Sequence, residues 1–276
     1  MNATPQRGEV LLTAEGIGIS FGGLRALDGV GFTARAGEVL AVIGPNGAGK
    51  TTLFNIVTGL YRAGSGRVTL DGQDVTDAPP HRLAAAGLSR TFQNLQVFFR
   101  MTALGNVMAG RHLQERAGLL SDLFRLRATR QENAATRDAA MALLDQVGLA
   151  HHAQTPAGSL PYGALKRLEI ARALATNPRV LMLDEPAAGC NPVETEEIDA
   201  LIAEVAARGV AVVLIEHDMK LVMRISRHVV VLNQGRMLAE GTPEEVRTNP
   251  DVVAAYLGSH GAREAGRAEA RGVSHA

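Results

Sequence analysis

Residues 38–52 read Glu-Val-Leu-Ala-Val-Ile-Gly-Pro-Asn-Gly-Ala-Gly-Lys-Thr-Thr, and this stretch decides the fold. Its first part, 38–43, is a near-continuous apolar run, as expected of a strand buried on both faces. Beyond it Leu53, Ile56, Val57 and Leu60 recur at i, i+3, i+4 and i+7, the stripe of an amphipathic helix. Between the two, Gly44 to Thr51 fits G-x-x-x-x-G-K-[ST]. Gly44, Gly47 and Gly49 let the backbone curl so that several N–H groups point inward at phosphate oxygens. A helix starting near Lys50 adds the positive end of its dipole. Lys50 supplies a point charge to the β- and γ-phosphates, and Thr51 offers a hydroxyl to Mg²⁺. A glycine-rich turn that met the pattern by accident would lack the strand before and the helix after.

Working outward, segment 10–34 reads as β, with Ile17, Ile19 and Phe21 alternating with small or polar residues and Gly22-Gly23 marking a turn. Segments 179–183 and 210–215 are two more buried-strand runs, and a further strand lies near 228–232. Ile198, Leu201, Ile202 and Val205 form a helix stripe between them; Asn191 is placed to cap that helix and Pro192 suits its first position. Repeated strand–helix alternation argues for an α/β fold with a parallel sheet covered by helices. The stretch 94–165 differs. It has few β signals, and Ala140, Leu143, Leu144 and Val147 form one helix stripe with Gly148 as its stop, so it reads as an inserted helical subdomain. Residues 258–276 lack apolar periodicity and read as a disordered tail; residues 1–9 read as an N-terminal extension.

A second site segment follows. Residues 180–186, Val-Leu-Met-Leu-Asp-Glu-Pro, bury a strand from whose C-terminal end Asp184 and Glu185 emerge, where open α/β sheets place their ligands. Asp184 would hold Mg²⁺ through water, and Glu185 would accept a proton from an attacking water. Composition agrees with an enzyme of this kind. The 276 residues balance 28 Lys+Arg against 28 Asp+Glu, which argues against a generic nucleic-acid binder. The single cysteine, Cys190, excludes a disulfide framework and a Cys-rich zinc site. No apolar run approaches the length of a membrane helix.

Together these motifs resemble the ATP-binding-cassette ATPases, the nucleotide-binding subunits of ABC transporters, over about residues 10–257. The resemblance implies a P-loop cassette: a RecA-like mixed-sheet core, an antiparallel β subdomain and the helical subdomain of 94–165. It implies ATP and Mg²⁺ as ligands, with ATP held by Gly44, Pro45, Asn46, Gly47, Ala48, Gly49, Lys50, Thr51 and Thr52. Phe21 matches the family's adenine-stacking aromatic, although alternation alone would also place it in a strand core. Gln93, in Arg-Thr-Phe-Gln-Asn, matches the glutamine that contacts Mg²⁺ and water; Thr51, Gln93 and Asp184 would thus surround the metal. His217, in Ile-Glu-His-Asp, matches the histidine that touches the γ-phosphate. With Glu185, Gln93 and Lys50 it completes the catalytic set. Leu160-Pro161-Tyr162-Gly163-Ala164 stands where the widespread form reads Leu-Ser-Gly-Gly-Gln, the signature that binds nucleotide in the opposite subunit. Proline supplies neither hydroxyl nor N–H, so recognition there would rest on the Gly163 N–H and the helix end.

Stretches such as Arg-Leu-Glu-Ile-Ala-Arg-Ala-Leu (167–174) and 241–258 resemble the larger ATPase subunit of importers for branched-chain, hydrophobic amino acids. Relatives that import urea or amides, one that drives lipopolysaccharide export, and non-transport cassette ATPases are the alternatives. Implied partners are a second ABC ATPase subunit, two membrane permeases and, indirectly, a periplasmic binding protein, with no nucleic acid. The implied location is peripheral, on the cytoplasmic face of the inner membrane. No lysine sits in an Asn-Lys-x-Asp motif, which argues against a GTPase.

Four other features have plain readings. Cys190 fills a small loop site. His151-His152 reads as a solvated pair, since sequence neighbours do not share a face on a helix or strand. Phe98, Phe99 and Met101 read either as core or as a groove for a membrane partner. Residues 81–170 hold 11 Lys+Arg against 6 Asp+Glu, a basic excess that either faces a partner or is a solvated surface.

Overall fold

The computed structural model describes residues 5–111 and 127–256, with the backbone alone for 127–133. The tail at 258–276 and part of the helical insertion therefore lie outside the described residues. The glycine-punctuated β region forms a long antiparallel pair, β1 (Val10–Phe21) and β2 (Leu24–Arg35), hinged at Gly22-Gly23. With β4 (Ser65–Leu70) and β5 (Gln73–Asp74) it makes an antiparallel sheet in the order β2-β1-β4-β5.

The second sheet runs β10-β9-β3-β8-β7-β6. Its parallel strands are β3 (Val39–Ile43), β6 (Leu88–Arg90), β7 (Val180–Asp184), β8 (Ala211–Ile215) and β9 (His228–Asn233). An antiparallel strand, β10 (Arg236–Gly241), closes one edge. Strand alternation explains why the central runs are apolar throughout. Val180 and Met182 of β7, with Ala211, Val213 and Ile215 of β8, face the layer shared with the antiparallel sheet. Leu181 and Leu183, with Val212 and Leu214, face the helices on the other side. Both faces are covered, so no position along these strands can be polar without cost.

Helix α1 (Lys50–Val57) fills the layer between the sheets with Leu53, Phe54, Ile56 and Val57. The expected stripe is one residue too long. The helix ends at Val57, and Leu60 lies beyond it, exposed. Gly59 sets this stop: its φ is +73°, and a Cβ there would lie 2.2 Å from the Ala78 carbonyl oxygen. A short helix, α2 (Pro80–Ala85), leads into β6.

The helical region comprises α3 (Ala103–Gly110), α4 (Arg127–Gln146) and α5 (Tyr162–Leu174) among the described residues. Ala140, Leu144 and Val147 are buried as their spacing predicts, and Gly148 follows at φ +70°. The two histidines stay at the surface, His151 exposed and His152 partly so, as a solvated pair should. They sit in the 3-10 turn Ala150–His152, with their rings 4.1 Å apart, centroid to centroid. No metal-binding group accompanies them among the described residues. Helix α6 (Pro192–Ala207) buries Ile198, Leu201, Ile202 and Val205, and Asn191 caps it through a reciprocal box with Glu194. Then α7 (Met219–Ile225), α8 (Pro243–Thr248) and a helical segment at 250–256 pack around β9 and β10.

Candidate functional site

Parallel strands β3, β7 and β8 end on the same side of the sheet, and the loops leaving them form the site. The phosphate loop leaves β3. Glycine is obligatory at two of its positions. At Gly44 a Cβ would lie 2.1 Å from the Leu232 carbonyl oxygen. At Gly49, with φ +103°, it would lie 2.6 Å from Leu27 Cδ2. The tight path directs the buried Lys50 back over the loop, where its Nζ donates to the carbonyls of Gly44 (2.7 Å) and Pro45 (3.0 Å). Burial lowers the Lys50 pKa, while Glu185 and Asp184 act to raise it.

Beside the loop lies a cavity of about 530 Å³ lined by residues 47–52, Leu24, Arg25, Ala26, Gln234 and Gly235. The last five were not singled out from sequence: they come from the start of β2 and from the β9–β10 turn, and no local motif announces them. Phe21 is not among the lining residues. It is exposed, which removes the strand-core reading, and its ring meets Tyr61 edge-on at 5.5 Å. An exposed aromatic pair at the end of β1 suits a stacking platform.

Asp184 ends β7 with its side chain buried, and Arg90 pairs with it at 3.2 Å. Parallel pairing of β6 with β7 sets Arg90 opposite Met182, within reach of the aspartate. The same guanidinium donates to Asn55 Oδ1 and Thr58 Oγ1, both at 2.8 Å, and lies 4.7 Å from the centre of the Phe92 ring. Burial raises the Asp184 pKa and Arg90 opposes that rise. Arg90 carried no functional reading in the sequence, because its partner lies 94 residues away.

Glu185 follows with φ +50°, a left-handed conformation that costs a non-glycine residue energy and marks a held position. Gln93 Nε2 donates to its Oε2 at 3.2 Å, and His217 Nδ1 lies 3.7 Å from its Oε1. The structure thus brings Gln93, Glu185 and His217 to one point, beside Lys50 and Asp184. Glu216, buried under His217, raises its own pKa by burial and accepts the N–H groups of His217 (3.1 Å) and Ala187 (3.4 Å). It ties the loop after β8 to the loop after β7.

Residues 160–164 stand apart from the phosphate cavity. Pro161 occupies the N-cap of α5 with no side-chain hydrogen bond, and Tyr162 opens the helix, exposed. Gly163 packs closely on Glu194: a Cβ would lie 2.5 Å from its carboxylate, so that side chain would have to shift. Phe98, Phe99 and Met101 are exposed, so the core reading fails for them. Arg172 lies 5.2 Å from the Phe98 ring centre. Cys190 is partly buried and burial raises its pKa, in keeping with an unreactive filler.

The donor set fits Mg²⁺ and a nucleotide triphosphate. A curled loop with a buried ammonium faces an open cavity, Thr51 lines it, and Asp184 lies within electrostatic range of Lys50.

Comparison with known proteins gives the same reading. The family model "ABC transporter" matches residues 27–188, and "Branched-chain amino acid ATP-binding cassette transporter" matches 236–262. The chain is 48% identical over 249 residues to the high-affinity branched-chain amino acid transport ATP-binding protein BraF of Pseudomonas aeruginosa, covering 90% of this chain and 98% of BraF. It is 46% identical over 249 residues to LivG of Escherichia coli K12, named in the same words, with the same coverage of 90% and 98%. Among solved structures, an ATP-binding cassette of an ABC transporter in its ADP conformation superposes with a TM-score of 0.79 at 36% identity, over 90% of this chain and 99% of that one. The chain therefore belongs to the ABC transporter ATP-binding-cassette family, whose members bind ATP with Mg²⁺ and hydrolyse it.

Proposed function

We propose that this chain is the ATPase subunit that energises import of branched-chain amino acids, working on the cytoplasmic face of the inner membrane. The observation that carries this reading is its 46–48% identity to transport ATP-binding proteins named for that substrate class, extended by the match over 236–262 outside the catalytic motifs. Among the described residues no helix is long and apolar enough to cross a membrane, and this reading assigns the membrane path to permease subunits. The exposed Phe98, Phe99 and Met101 offer those subunits an apolar contact. A second cassette supplies its residues 160–164 to the phosphate site, since this chain's own lie outside the cavity lining.

In this reading the 44–52 loop binds the phosphates, Lys50 offsets their charge, and the Phe21–Tyr61 pair supports the adenine. Thr51, Asp184 and Gln93 would hold Mg²⁺, which when bound supplies positive charge to the phosphate oxygens. Glu185 takes the proton from the attacking water, Gln93 orients its carboxylate, and His217 senses the γ-phosphate.

Reconstitution with the cognate permeases and binding protein tests the assignment. The expected result is ATP-dependent uptake of labelled leucine, lost in Lys50→Ala. Uptake of urea without leucine, or extraction of lipopolysaccharide, would overturn it in favour of a related transporter.

A further inference from the structure

Helix α5 carries Tyr162, Lys166 and Glu169 at i, i+4 and i+7, along one face: Lys166 and Glu169 are buried, and Tyr162 stands exposed at the helix start. Lys166 is 2% exposed, in a chain whose other lysines are Lys50 and Lys220. A buried ammonium must meet acceptors or charge. Lys166 Nζ points at the carbonyl oxygen of Glu185, 3.5 Å away, and lies 5.9 Å from the Tyr162 ring centre. That carbonyl also closes the following turn by accepting the Ala188 N–H at 3.2 Å. Tyr162 supports the same turn, its ring set against Gly189, where a Cβ would meet Tyr162 Cε1 at 3.1 Å. One turn further along α5, Glu169 Oε1 accepts the Gln96 N–H at 3.1 Å and so holds the loop that carries Gln93. Both loops that meet at Glu185 are thus fastened to one helix.

We propose that Lys166 is a positioning residue for ATP hydrolysis. Its ammonium holds the left-handed peptide of Glu185 from beneath, so that the carboxylate stays where Gln93 and His217 meet it. The inference rests on Glu185 being the general base. Lys166 itself is not among the residues lining the phosphate cavity.

The test is steady-state ATP hydrolysis by the full chain as Lys166→Met and Lys166→Gln, both neutral, with Lys166→Arg and Glu185→Gln alongside. Thermal midpoints are measured for all. Loss of the hold should lower kcat about 10-fold or more, since small misplacements of a reacting group are costly. ATP KM should move less than about twofold, because phosphate binding is untouched. Lys166→Arg, which keeps a cationic donor, should recover most of the rate. Whichever neutral variant folds carries the result. A neutral variant with kcat near the parent overturns the proposal. So does a KM rise in step with a falling thermal midpoint, or an arginine variant as slow as the neutral ones, since each marks a merely structural lysine. If Glu185→Gln turns over normally, the base assignment falls instead, whatever Lys166 does.

Discussion

Asp184 and Arg90 form a charge pair whose side chains are 4% and 7% exposed, with the arginine also bound to Asn55 and Thr58. Removing one partner leaves the other buried charge without its hydrogen-bonded counter-ion. Arg90→Leu should therefore cost about 3–5 kcal/mol of stability, read as a shift in the urea midpoint. Adding Asp184→Asn should recover part of it. Lys50, Asp184 and Glu185 were legible in the sequence because each sits beside its own local pattern, a glycine loop or a buried strand end. Arg90 was not, because its role exists only once β6 lies against β7. Glu194 was missed for the same reason: its approach to Gly163 depends on the packing of α5 against α6.

At the scale of elements, turn and cap chemistry was read more securely than helix length. Asn191 and Pro192 start α6 as their residue types require, and the box with Glu194 closes it. Asn191→Ala should lose about 1 kcal/mol, measured by thermal denaturation, with phosphate-site geometry unchanged. The apolar period overran in α1 because it continues through Leu60, while the backbone turns at Gly59. Periodicity reports which residues could share a face; a close approach elsewhere decides where the face stops.

Across the molecule, the balanced charge hides a division. Of the basic excess between 81 and 170, Arg90 and Lys166 are turned inward, Arg172 is shifted by burial, and Arg167 pairs with Glu197 at 3.3 Å. Arg82, Arg100 and Arg137 are exposed. Part of the excess therefore serves internal loops, which neither sequence reading anticipated. The buried acids Asp184, Glu169 and Glu216 all have pKa values raised chiefly by burial. Each holds its proton more tightly folded than unfolded. Their contribution to stability is fullest below the unfolded carboxylate pKa and is lost as pH rises through the folded one. Glu216→Gln removes one such group and should flatten the fall of stability with rising pH above about 4.5. Urea midpoints across that range check this, and an unchanged slope would contradict it.

The order of strand, glycine loop and helix, and the acidic end of β7, carried the family from the sequence. The meeting of Gln93, Glu185 and His217 needed the folded chain, because it joins three loops from distant segments. That meeting is the centre of the account, and one comparison tests it most directly. ATP binding and steady-state ATP hydrolysis are measured on the full chain and on Glu185→Gln. Binding should stay close to the parent and turnover should fall at least about 100-fold, the scale of a lost general base. Turnover near the parent rate in Glu185→Gln would contradict it.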